Sequence, residues 1–184
     1  MKRVQVLIIV TLSILMFVGI PAQAALFSVD FTVSGFTNNG PSSPPTDPVS
    51  GNIVFDALSA TSTIDSLLSI DLIIDSHTYT LGEIGYISPF GLSNLIGGTL
   101  LGIEQVGNGT NDFFLLWTRD MSSANSQLFF AYASENVPDT GWLVTDKSLF
   151  SKFSVSPVPE ASTMLLLGSG LIGLVGYGRR RMKK

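Results

Sequence analysis

Cysteine is missing from all 184 residues. That excludes disulfides, thiolate metal sites, a cysteine nucleophile and a cysteine-borne lipid anchor together. Cations are almost as scarce in the middle of the chain. Between Ala25 and Val158 only Arg119, Lys147 and Lys152 are basic, against thirteen Asp and Glu, a net of −10 hidden inside the chain-wide −4. So acidic a body is repelled by phosphate backbones and anionic membrane surfaces, and nucleic-acid binding is not expected of it. No phosphate loop, dinucleotide fingerprint or solenoid-period repeat is present, and no segment reads as an amphipathic helix. Without cross-links, the body must be held by a hydrophobic core, and it is long enough to bury one.

The apolar residues that raise mean hydropathy to +0.41 are concentrated at the two ends, next to the missing cations. Met1-Lys2-Arg3 precedes an apolar run from Val4 to Ile20, and then Pro21-Ala22-Gln23-Ala24. Pro21 stops a helix, and Ala22 and Ala24 are the small residues of an A-x-A cleavage site. Residues 1–24 therefore read as a signal peptide, with signal peptidase expected to cut before Ala25 and an uncleaved anchor as the alternative.

From Ala25 the period becomes two. Phe27, Val29, Phe31 and Val33 alternate with Ser28, Asp30, Thr32 and Ser34, the pattern of a half-buried strand. Gly35 to Pro48 is loop, rich in Gly and Pro. Strands are expected at Ser50–Asp56 and at 68–75, with Leu68, Ile70, Leu72 and Ile74 on one face, and Thr78–Leu81 continuing that hairpin. Gly82–Gly98 is ambiguous. Thr99–Val106 and Asp112–Thr118 are expected as strands flanking a turn at 107–111. Phe113 to Trp117 is apolar on both faces, as in a central strand. Gln127–Ala133, Trp142–Val144 and Leu149–Val155 complete about eight strands. The expected fold is all-β, an antiparallel β-sandwich or jelly-roll-like body over 25–156, between an amino-terminal signal helix and a carboxy-terminal transmembrane helix.

The tail, 157–184, has three parts. Ser156-Pro157-Val158-Pro159-Glu160-Ala161-Ser162 leads into an apolar stretch (163–177) and then a basic end (178–184) carrying Arg179, Arg180, Arg181, Lys183 and Lys184. The prolines keep the backbone extended for a processing enzyme. Ala161 to Tyr177 would span about 25 Å as a helix, slightly less than the roughly 30 Å hydrocarbon core, and its glycines weaken it further. The basic cluster holds the far end in the cytoplasm, leaving Glu160 at the outer face. This arrangement resembles the PEP-CTERM sorting signal of Val-Pro-Glu-Pro type: Val158, Pro159 and Glu160 match, with Ala161 in place of the second proline and Ser162 following. The resemblance implies processing by exosortase, a transient membrane anchor, and delivery to the surface or extracellular matrix of an exopolysaccharide-producing bacterium. A permanent anchor is the alternative.

Chemistry within the body is less marked. His77 with Asp75 and a serine would suggest a hydrolase, but the body has no G-x-S-x-G elbow. Asp71 and Asp75, on one strand face, and Asn108, Asn111 and Asp112, in one loop, offer hard oxygen ligands for calcium. No EF-hand or glycine-aspartate nonapeptide repeat organises them, and a solvated acidic face is the favoured reading. Asn108-Gly109-Thr110 has the form of a glycosylation sequon but suits a hairpin turn. Trp117, Trp142, Phe129, Phe130 and Tyr132 could line a sugar platform, although strand aromatics are usually core. No cofactor and no catalytic residue is expected. The expected role is a structural or adhesive, polysaccharide-associated matrix protein; the alternatives are a secreted glycan-active enzyme and a calcium- or carbohydrate-binding module.

Overall fold

The computed structural model describes residues 25–38, 43–107, 109–159 and 168–169. The signal helix and nearly all of the transmembrane segment fall outside these residues. Gly168 and Ser169 are helical, and no helix among the described residues is long and apolar enough to cross a membrane.

The period-two segments form ten antiparallel strands: β1 (Ala25–Val33), β2 (Val49–Ala57), β3 (Ile64–Ile74), β4 (His77–Thr78), β5 (Ile84–Ile87), β6 (Ser93–Gly98), β7 (Phe113–Thr118), β8 (Leu128–Ser134), β9 (Val137–Val144) and β10 (Phe150–Pro157). They make two five-stranded sheets, ordered β10-β1-β2-β3-β4 and β5-β6-β7-β8-β9. Apart from β10 beside β1, every neighbour is consecutive in sequence. The described strands thus form two meanders rather than a jelly roll, which pairs strands distant in the chain.

The inward faces meet in one core. Phe31 packs on Phe130 (ring centroids 5.2 Å), Phe55 on Trp117 (6.2 Å) and Tyr79 on Phe113 (4.7 Å), each pair joining the two sheets. The doubly apolar β7 is the middle strand of its sheet, as its composition predicts. Tyr132 ties in the loop before β2: its hydroxyl donates to the Thr46 carbonyl (2.8 Å) and accepts from the Thr46 N–H (3.1 Å).

Two expectations are corrected. Leu68 does not share the buried face of β3. Val54 pairs with Ser69 but Phe55 with Leu67, so Leu68 is the extra residue of a β-bulge and is 44% exposed. A bulge reverses the alternation beyond it. Thr99–Val106 is not a strand either; the partner of β7 is β6. The 99–112 loop instead folds against β6, where a side chain at Gly97 would overlap the backbone oxygens of Ile103 and Phe113, and one at Gly98 the Asp112 carboxylate. The glycine pair makes that close approach feasible.

Candidate functional site

Two regions carry functional chemistry, at opposite ends of the first sheet. The first is the junction with the tail. β10 is an edge strand whose Pro157 lies opposite Phe27 of β1. Pairing continues one residue further, because the Val158 N–H donates to the Leu26 carbonyl (2.8 Å). Val158 is half-buried and Pro159 exposed, so the predicted motif begins directly where the sheet stops, with no linker. Antiparallel pairing also brings Ala25 to this corner, opposite Ala57 of β2. The start of the described body and its last paired residues therefore lie on adjacent strands, about 5 Å apart in the pairing direction. Ala22, Ala24, Glu160, Ala161, Ser162 and the basic cluster Arg179–Lys184 lie outside the described residues.

The second region is an acidic cleft of about 340 Å³. Tyr79 is held beside β3 by its N–H, which donates to the Leu72 carbonyl (3.1 Å). Following it, a short 3-10 turn (Leu81–Glu83) is closed by Glu83, which accepts from both the N–H (2.7 Å) and the hydroxyl (2.8 Å) of Thr80. Those hydrogen bonds, from the side chain and then the backbone of Thr80, hold the Glu83 carboxyl below its ordinary pKa. His77 Nε2 lies 3.3 Å from Glu83 Oε1. Across the cleft, the buried Asp112 carboxylate accepts from the Leu101 N–H (3.1 Å). Asn111 and Glu135 bond reciprocally, Asn111 Nδ2 to the Glu135 carboxylate (3.2 Å) and the Glu135 N–H to Asn111 Oδ1 (3.1 Å).

The structure separates several of the sequence candidates. Asp75 accepts from the Ser134 hydroxyl and from Asn136 Nδ2 (2.9 Å), while His77 turns to Glu83, so Asp75 and His77 form no catalytic relay. Asp71 lies on the outer face of the first sheet near Asp30 and Lys152. Asn111 and Asp112 share the cleft, and Asn108 lies outside the described residues. The calcium candidates are thus dispersed; among the described residues no three His, Asp or Glu converge as a metal site. Trp117, Trp142, Phe130 and Tyr132 are buried, leaving only Phe129 of these five half-exposed, so they form no aromatic platform among the described residues.

Sequence reasoning singled out His77, Asn111 and Asp112 but missed Tyr79, Glu83 and Glu135. The Thr-x-x-Glu spacing of Thr80 and Glu83 is the one local signal that marks part of the cleft. Glu135 follows β8 and is brought in only by the β8–β9 turn.

Residues 157–181 match the PEP-CTERM protein-sorting motif. The chain carries that sorting signal. Neither a curated protein nor a solved structure matches the chain. A PEP-CTERM motif marks an exported protein that exosortase processes, with membrane-associated sorting and then delivery to the surface. The match begins on the last residue of β10, so it leaves the chemistry of the sandwich to its own geometry.

Proposed function

We propose that the sandwich is a non-enzymatic structural or adhesive component of the extracellular matrix, associated with exopolysaccharide. The observation that carries this is polarity. The two expected routes into the membrane, before Ala25 and after Pro159, leave from one corner of the first sheet. The acidic cleft lies towards the other end of β3. Ile64 of β3 pairs with Ala57, which pairs with Ala25, and Tyr79 bonds to Leu72. Eight residue steps separate Ile64 from Leu72, roughly 25 Å at about 3.3 Å per residue. A body hung from its membrane corner turns the cleft outward, towards material outside the cell.

The carboxylates favour binding over hydrolysis. In the cleft, hydrogen bonds from Thr80 hold the Glu83 carboxyl below its ordinary pKa. A glycan hydrolase needs a pair in which one carboxyl is pushed up to act as the acid.

Intact-mass analysis and fractionation of the protein from its producer test this. The expected product starts at Ala25, ends near Glu160 and partitions with the surface polysaccharide. A product that keeps 163–184 and stays in the membrane fraction, or one free of the matrix in the medium, would overturn it.

A further inference from the structure

The sorting signal and the folded body share residues. The matched motif starts at Pro157, which is also the last residue of β10 and lies opposite Phe27 of β1. The next residue is still bound to the sheet, because the Val158 N–H donates to the Leu26 carbonyl at 2.8 Å. Val158 and Leu26 are both half-buried. Neither Pro157 nor Pro159 has an N–H, so Val158 supplies the one backbone donor of residues 157–159. A single backbone bond thus holds the head of the signal, at the ends of two strands. Phe27, the next residue along β1, belongs to the core: it is buried and stacks on Phe55 at 6.0 Å. Strand ends open at low cost, so Leu26 and Val158 can part while Phe27 stays in place.

We propose that this bond is a latch on the sorting signal: the start of β1 withholds Pro157 and Val158 from exosortase, and processing passes through a state in which the end of β10 has opened from β1. An enzyme that grips an extended segment does so through the segment's main-chain hydrogen bonds. The Val158 N–H cannot serve Leu26 and the enzyme at once. The tether offers no way round, since only residues 159–162 separate Val158 from the apolar stretch at 163, and four residues reach at most about 14 Å. The enzyme therefore meets the signal against the corner of the body. One net backbone hydrogen bond shifts such an opening equilibrium by roughly two- to tenfold, so the latch slows processing without preventing it. Leu26 is then a positioning residue for the sorting reaction, although it lies far outside the motif in sequence.

The test follows the full precursor in its producer by pulse-chase, with intact mass reading both ends of the product. Three variants are compared with the unmodified chain. Leu26→Gly loosens the start of β1 and leaves the motif and its spacing unchanged. A Gly-Ser-Gly-Ser insertion between Ser156 and Pro157 keeps residues 157–184 intact but frees them from the sheet. The third variant combines the two. Each single change is expected to speed trimming on the order of two- to tenfold. The combination should be no faster than the insertion alone, because a signal already free gains nothing from a looser β1. Trimming at the unmodified rate or slower in either single variant overturns the latch. An insertion that speeds trimming while Leu26→Gly does not assigns the gain to tether length, and overturns it too. Effects that multiply in the combination mark general loosening of the body rather than a latch, and also overturn it.

Discussion

Phe130→Ala should be the most costly single truncation tested in the body, whereas Phe129→Ala, one residue away, should be nearly silent. Phe130 is fully buried on β8 and touches Phe31 (5.2 Å), Phe36 (6.0 Å), Phe113 (6.1 Å) and Tyr132 (6.4 Å). Two of these rings, Phe31 and Phe113, lie on different sheets, so the substitution opens a cavity at the centre of the sandwich. Phe→Ala in a core costs about 3–5 kcal/mol. Total stability is about 5–15 kcal/mol for a domain, and no disulfide limits the unfolded chain here. At about 3–5 °C per kcal/mol for a domain of this size, the expected fall in Tm is roughly 10–20 °C. Phe129 sits on the opposite, half-exposed face, where about 1 kcal/mol or less is expected. Urea unfolding of the processed protein, followed by the buried Trp117 and Trp142, measures both. Equal losses, or a larger one for Phe129, would mean that β8 is paired one residue out of register, since such a slip exchanges the two faces.

Gly98→Val should cost about 1–3 kcal/mol and displace the 99–112 loop, because the new side chain overlaps the Asp112 carboxylate; urea denaturation reports it. Acid sensitivity follows from Glu83. Its folded-state pKa lies below the ordinary 4.5, so its contribution to stability is complete above pH 4.5 and is lost as pH falls through the depressed value. The urea midpoint should therefore drop on acidification below pH 4.5, and less steeply in Glu83→Gln; identical slopes would assign the loss to other carboxylates. Lys152→Ala removes an exposed 3.4 Å pair with Asp30 and should change stability by less than about 1 kcal/mol. Glu160→Ala should leave the basic tail attached to the exported product, as read by intact mass; a normally trimmed product would show that Glu160 is dispensable.

The sequence by itself determined the architecture that depends on neighbours a few residues apart. Phe27 to Val33 alternate and form β1; Phe113 to Trp117 are apolar on both faces and form the middle of a sheet; the proline-acid motif, apolar stretch and basic end identify the sorting tail. Each is a local pattern, and local patterns survive in one dimension. Only the tertiary structure decided what depends on partners far along the chain. The bulge that turns Leu68 outward exists because β2 pairs on either side of it, and the apolar segment from Thr99 is loop because β6, not that segment, takes the edge of β7. The return of β10 to β1 places the start of the body beside its exit. The cleft draws Tyr79, Asp112 and Glu135 from three separate turns. Hydrogen-bond pairing between distant strands sets these positions, and hydrophobic periodicity, which records only which side of a strand is wet, carries no information about which strand comes next to it.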